Sequence, residues 1–324
     1  MSILKPAGRK GTNEHAERIV RWAGKLIGLI FVLIILSFLV FALLYLAPGD
    51  PAEKRLTSQG IAITREVLDA ERERLGLFRP FLVRYGEWLF GIVRGDFGVS
   101  FKDDLPVAPK LLAGLRKTVL LASASLLLSL IVSFPLAVLA AWKKDRVPDH
   151  IVRLLSFFGN SLPNFLISVL LMYLLCIRIK AFPVIAAGSL QGLFMPVISL
   201  AIPMTGRFIR QMRAEFLVQL SEDYVEGMRM RGVKEGYLIL NVIRNSLGHI
   251  LTIIALQTGT LMGGSVVIEN IFRWPGIGKL VMDSITARDY PVIMGFVLIM
   301  GTIYVVVNQL ADIGFHVLDP RGQA

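Results

Sequence analysis

The sequence holds a single cysteine, Cys176. A lone thiol excludes an intrachain disulfide and any cysteine-built metal or iron–sulfur centre. Charge is scarce as well: Asp, Glu, Lys and Arg make up 18% of the chain, against about a quarter of an average soluble domain. No G-x-x-x-x-G-K-[ST] phosphate loop occurs, and GIGKL at Gly276 to Leu280 has the wrong spacing, so the chain does not bind ATP by that route. H-E-x-x-H is absent, and His15, His150, His249 and His316 are too scattered for a protein-built metal site. No Ser-His-Asp or paired-carboxylate pattern emerges. No catalytic residue, metal ligand or bound cofactor is therefore assigned, which leaves a conduit that draws its energy from a partner.

What the chain has in abundance is apolar sequence. Apolar residues make up 54%, with 29 glycines besides, well above the roughly 45–50% of an average chain with glycine included. The fold class is an all-α polytopic membrane protein in contact with lipid. The net charge of +11 sits between or beside the apolar runs, so topology explains it better than nucleic acid does.

The runs predict six transmembrane helices with both termini cytoplasmic. A basic tail, 1–25, precedes the charge-free first helix, 26–47, which is long enough to cross about 30 Å of hydrocarbon and reads as retained, not as a cleaved signal peptide. The PGDP turn follows. Segment 48–117 is expected outside the membrane, with a helix over Glu66 to Leu75. A five-helix core, 118–318, then has spans at Val119 to Trp142, Leu154 to Ile177, about Ser189 to Gly206 and onward past Arg207, Arg210 and Arg213, about Gly248 to Ile271, and Val292 to Leu318. Residues 319–324 form the second tail.

Within the core, the loop 213–247 contains the charged insert SEDYVEGMRMRGVKEGYLILNVIRNSL, Ser221 to Leu247. It reads as two short helices. Ser221 is the expected N-cap; Glu222 and Asp223 favour the positive end of the first helix, Arg229 and Arg231 the negative end, and Gly232 supplies the left-handed stop. Tyr224, Val225 and Met228 make one apolar face. Such a hairpin docks on a partner or lies flat on the membrane.

The fifth span is rich in small and polar residues. Gln257, Thr258 and Thr260, with Asn160 and Asn164 on the third span, are candidates for lining a pathway, against satisfied interhelical bonds or helix caps. Trp274, Pro275, Gly276 and Asp289 lie in the turns flanking the last two spans and are candidates for an outer gate or a protein contact. Met204, Met212, Met228, Met230 and Met262 read as apolar filling, not as a thioether relay.

EGMRMRG at Glu226 to Gly232 resembles the EAA loop of ABC-importer membrane subunits, with Gly227 and Met228 in place of the usual alanines. Arg244 and Asn245, PGDPA after the first span, LGL at Leu75 to Leu77 with Pro80, GDFG.SF at Gly95 to Phe101, ENIFRWPGIGKL with RDYPVI, and LDPR at Leu318 to Arg321 resemble the dipeptide/oligopeptide/nickel permeases. The resemblance implies a bacterial inner-membrane subunit pairing with a homologous permease, two cytoplasmic ABC ATPases that hold ATP and magnesium, and an extracytoplasmic solute-binding protein. It also implies that Glu222 to Gly232 is the coupling helix seated on an ATPase. The cargo would be nickel or a nickel chelate, with peptide as the alternative; a stand-alone channel or secondary carrier would need its own internal repeat, and none is visible.

Overall fold

The computed structural model describes residues 10–182, 185 and 190–318. Among them the chain is helical, with one isolated antiparallel bridge between Val99 and Pro106. Tail 319–324 and the first nine residues of tail 1–25 lie outside the described residues.

Helix α1, Lys10–Leu46, begins well ahead of Leu26, so the basic tail continues the first span as helix. Little of its apolar stretch is covered by protein, which suits lipid contact. Gly301 lets it approach the last helix closely, since a Cβ there would lie 3.0 Å from Leu33 Cδ2.

Three short helices follow: α2, Pro51–Ser58; α3, Arg65–Arg74; and α4, Phe81–Val93. Asp50 starts α2 by accepting from the Ala52 amide at 2.8 Å, and Thr64 caps α3 by accepting from Val67 at 3.3 Å. Gly76, at φ +67°, ends α3 within the LGL turn. Helix α4 folds back on α1 through the Tyr85 hydroxyl, 2.9 Å from Ser37 Oγ, and through the rings of Phe38, Phe41 and Phe81.

Helix α5, Val107–Trp142, begins earlier than the expected Val119. The reason is amphipathicity: Val107, Leu111, Gly114 and Thr118 form one buried stripe, while the charges of Lys110, Arg116 and Lys117 lie off it. Segment 48–117 therefore ends inside a helix that continues into the core. The third span is also different from a single straight helix. Helix α6, Val147–Ser161, and α7, Asn164–Leu171, which runs into a π-helical stretch at Met172–Arg178, meet at 96° around Leu162 and Pro163. Among the described residues five helices are long and apolar enough to cross a membrane, and six spans result if this bent pair counts as one.

Helix α8, Leu190–Leu220, runs unbroken through Pro196 and Pro203. Then come α9, Asp223–Met230; α10, Glu235–Ile271; α11, Ile277–Ala287; and α12, Tyr290–Leu318. The expected fifth span and the second half of the hairpin are one helix, α10.

The core forms where α5, α8 and α10 meet. Small buried residues on α5, Ser125, Ser129, Ser133 and Ala137, recur every fourth position and let α8 come close. Ser129 Oγ donates to its own helix at Ser125 O, 2.7 Å, and reaches Ala201 O on α8 at 3.2 Å. Met204, Phe208, Met212 and Phe216 fill the opposite surface. Met204, Met212 and Met262 are buried as expected of apolar filling, whereas Met230 is not. Helix α6 crosses α8 at Gly206, where a Cβ would lie 2.7 Å from Ser156 O, and Ser156 Oγ donates to Gly206 O at 2.6 Å.

Candidate functional site

The hairpin occupies one end of the bundle. Helix α9 starts at Glu222, which has the extended N-cap backbone, while the Ser221 hydroxyl turns back to Val218 O at 2.7 Å. Ser221 is thus not the N-cap; a tight turn closing α8 has claimed its side chain. Asp223 and Glu226 occupy the first turn and Arg229 the last, as the dipole favours, and Gly232, at φ +69°, makes the stop.

The apolar face of α9 points into the chain's own core. Val225 is 1% exposed and joins Leu238, Val242 and Phe216, with Tyr224 and Met228 packed partly buried beside it. Tyr224 Oη donates to Gln219 Oε1 at 3.3 Å. Burying a residue such as Val225 contributes about 1.5–3 kcal/mol, and that energy fixes the hairpin to α8 and α10. Val225 therefore anchors the hairpin to the bundle, with Tyr224 and Met228 half-buried beside it. The outer face carries Met230, 80% exposed, and Tyr237, 63% exposed, among Glu222, Asp223, Glu226, Arg229 and Arg231.

Beside the hairpin, Asp149 at the start of α6 is wholly buried and accepts from Arg213 on α8 through two bonds of 2.7 Å each. The Asp145 amide donates to the same carboxylate at 3.0 Å. Nothing local marks this pair in the sequence, because Asp149 sits in the charged turn KKDRVPDHIVR and Arg213 comes 64 positions later.

The pathway candidates separate. Gln257 is buried and its Nε2 donates to Gln211 Oε1 at 3.0 Å, joining α10 to α8. Thr258 Oγ1 bonds back to Ile254 O at 2.8 Å and Thr260 Oγ1 to Leu256 O at 3.3 Å, with Thr260 exposed. Asn164 begins α7 and presses on α10 where Gly264 makes room, since a Cβ there would lie 3.1 Å from Asn164 Nδ2. Asn160 lies in the last turn of α6, its backbone beside Gly206.

At the opposite end, sequence blocks far apart in the chain meet. Glu269, near the end of α10, is fully buried, and its carboxylate accepts from the Gly278 and Lys279 amides of α11 at 2.7 and 3.1 Å. Thr118 of α5 donates to the other carboxylate oxygen at 2.5 Å and accepts from the Ile277 amide at 2.9 Å. The first three amides of α11 are thereby satisfied by residues from two other helices. Gly276 is required here, because a Cβ would sit 2.3 Å from Glu269 Cδ. Trp274 is 1% exposed and donates to Lys117 O at 3.1 Å, and Pro275 alone of this turn's candidates is exposed.

Asp289 is likewise interior, 2% exposed, and accepts from Ser100 Oγ at 2.5 Å and the Phe101 amide at 2.9 Å. Burial pushes its carboxyl above the ordinary range, and the Ser100 bond pulls it back. Trp274, Gly276 and Asp289 thus brace this end from within and offer no surface for a partner to touch. The bracing continues outward. Arg288 donates to the Pro48 carbonyl of the PGDP turn, Asp50 pairs with Arg72 at 2.6 Å, and Arg55 donates to Phe101 O at 2.6 Å while pairing with Asp104 and, at 3.2 Å, Glu71. The PGDP, GDFG.SF and RDYP segments form one connected network.

Residues 133–322 match the family described as "Binding-protein-dependent transport system inner membrane component", and residues 19–122 match its companion N-terminal family. The nickel import system permease protein NikB of Staphylococcus aureus strain bovine RF122 / ET3-1 is 35% identical over 298 residues, covering 92% of this chain and 90% of that protein. NikB of strain MRSA252 matches to the same extent. Among solved structures, the inward-facing MetNI methionine ABC transporter shares the fold with a TM-score of 0.54, at 14% identity, over 64% of this chain and 96% of its own. A multi-pass helical bundle, an EAA-type hairpin at one end and these matches over nearly the whole length make the chain a member of the binding-protein-dependent transport system inner membrane component family, an ABC-importer permease of the nickel/peptide type.

Proposed function

We propose that this permease forms, with a homologous partner permease in the bacterial inner membrane, the translocation pathway of an ATP-driven importer. Two cytoplasmic ATPases supply ATP and magnesium, and an extracytoplasmic binding protein delivers the cargo. The observation that carries this reading is the hairpin. Its inward face is locked to α8 and α10 by Val225 and Leu238, and its outward face presents Met230 and Tyr237 among charges. An exposed apolar pair with a charged rim is the composition of a small docking surface. Because α9 is held by the same residues as α10, a push on the hairpin tilts membrane helices as rigid bodies.

The cargo reading is nickel or a nickel chelate. The name of the Staphylococcus aureus relatives supports the metal. A peptide, the other cargo of the resembling permeases, is the second reading.

The test is nickel accumulation in cells lacking this chain, with nickel supplied alone or with histidine, beside uptake of a labelled dipeptide. Loss of nickel with peptide uptake intact supports the metal reading, and the reverse moves the cargo to peptides. Gly232→Pro, which the left-handed backbone cannot accept, is expected to leave the protein in the membrane and to abolish uptake. Wild-type uptake in that variant would overturn the coupling role of the hairpin.

A further inference from the structure

Helix α8 carries Arg207, Arg210 and Arg213 in its second half. Arg213 is occupied by Asp149. Arg207 and Arg210 are in a different position: among the described residues neither has an ion pair, and the Nε of Arg207 is buried with no hydrogen-bond partner.

The depth of this pair follows from its neighbours. The Asp149–Arg213 bridge sets the level of the turn between α5 and α6. Arg207 lies six residues before Arg213, which at helical rise is about 9 Å farther into the span. Its backbone is held there by the Gly206 crossing with α6. Arg207, Arg210, Gln211 and Ala214 share one face of α8, and Arg210, Gln211 and Ala214 on it are exposed, while Phe208, Ile209, Met212 and Phe216 on the other faces are buried. Gln257 of α10 borders the same face through its bond to Gln211.

An open face with two unpaired guanidiniums at this depth is poorly suited to hydrocarbon and well suited to a wet path. The planar fork of arginine matches a carboxylate in a bidentate pair, and both charges repel a bare divalent cation. We propose that Arg207 and Arg210 form a carboxylate-binding station on the hairpin side of the pathway, through which cargo passes as a small carboxylate-bearing complex or peptide and not as a free metal ion. The proposal rests on the transport reading above and names residues and a cargo chemistry for it.

The test uses cells lacking the chain, complemented with wild type, Arg207→Gln, Arg210→Gln, the double variant or Arg207→Lys. Three cargoes are compared: nickel with histidine, nickel with imidazole, which has no carboxylate, and a labelled dipeptide. Wild type is expected to carry the histidine complex or the dipeptide and not the imidazole complex. The double variant is expected to lose at least tenfold of that uptake at an unchanged amount of protein in the membrane, with Arg207→Lys retaining part of it. Wild-type uptake by the double variant overturns the station, as does equal wild-type uptake of the histidine and imidazole complexes.

A lipid phosphate is the competing anion. If it is the true partner, thermal stabilisation of the purified importer by anionic phospholipid disappears in the double variant along with uptake, and the station is overturned in favour of a headgroup site. Failure of the wild-type copy to restore any uptake removes the transport reading itself, an outcome distinct from equality between wild type and variant.

Discussion

Thr118 and Glu269 stand 151 positions apart in the chain, yet the threonine hydroxyl donates to the glutamate carboxylate at 2.5 Å. Together they satisfy the start of α11, a helix to which neither belongs. Thr118→Val keeps the shape of the side chain and leaves the Ile277 amide and one carboxylate oxygen without partners, so it is expected to lower the stability of the purified protein by about 1–3 kcal/mol. Glu269→Ala, which strands two amides and the Thr118 hydroxyl, costs more. Because both residues serve one network, the double variant is expected to lose less than the sum of the two, measurable as unfolding free energies in detergent.

A second pair gives the opposite kind of comparison. Asp149 is wholly buried and its carboxylate is matched by Arg213. Removing Arg213 leaves the buried carboxylate only the longer contact with Arg153 at 3.7 Å, so Arg213→Leu alone is expected to cost up to about 3–5 kcal/mol, while Asp149→Leu with Arg213→Leu costs less. An equal penalty in the single and double variants would show that the charges are not coupled.

Acid sensitivity follows from the network around the PGDP turn. The Arg55 guanidinium beside Asp104, helped by Arg74, holds that carboxyl at about 2, below the ordinary aspartate value near 3.9. A depressed carboxyl contributes its stability above the unfolded value and loses it as the pH falls through the folded one, here from about pH 4 toward pH 2. Asp104 is half exposed although Arg55 is buried, so solvent screens the carboxylate and the effect is modest. Asp289 has the opposite sign: burial raises its carboxyl, so its contribution falls as the pH rises through the raised value. Asp104→Asn is expected to flatten the decline in unfolding temperature between about pH 4 and about pH 2, and an unaltered decline would show that other carboxylates control it.

The two faces of the hairpin should separate in mutagenesis. Val225→Asp places a charge in the core and is expected to reduce folded protein in the membrane. Met230→Glu with Tyr237→Ala leaves the core untouched, so the unfolding temperature is expected to stay at the wild-type value while co-purification of ATPase subunits falls at least tenfold.

Much of this architecture could be read from the residues in order. Five of the six expected spans fall on long apolar helices among the described residues, and the charged insert with Gly232 marks the hairpin, because periodicity and capping are local properties. Three features were out of reach for one physical reason, that they depend on what a side chain meets across the bundle. The extension of α5 back to Val107 is decided by a stripe whose partners lie on α11 and α12. The inward turn of Val225 depends on Phe216 and Leu238. Trp274 and Asp289 looked like surface residues in polar turns, and their burial comes from Lys117 and from Ser100 with Phe101. Glu269 left a local trace that was not used: it is the one carboxylate between Glu235 and Asp283.

Helix α10 runs 37 residues without a break, from the hairpin at Glu235 to the braced end at Ile271. At helical rise that is a rod of about 55 Å, clamped at one tip by Val225 and Leu238 and at the other by the Glu269 bonds to α11. A seesaw of this length converts a swing of about 10° into about 5 Å of travel at each tip, in opposite directions. The hairpin and the start of α11 are therefore two ends of one lever, and neither moves without the other.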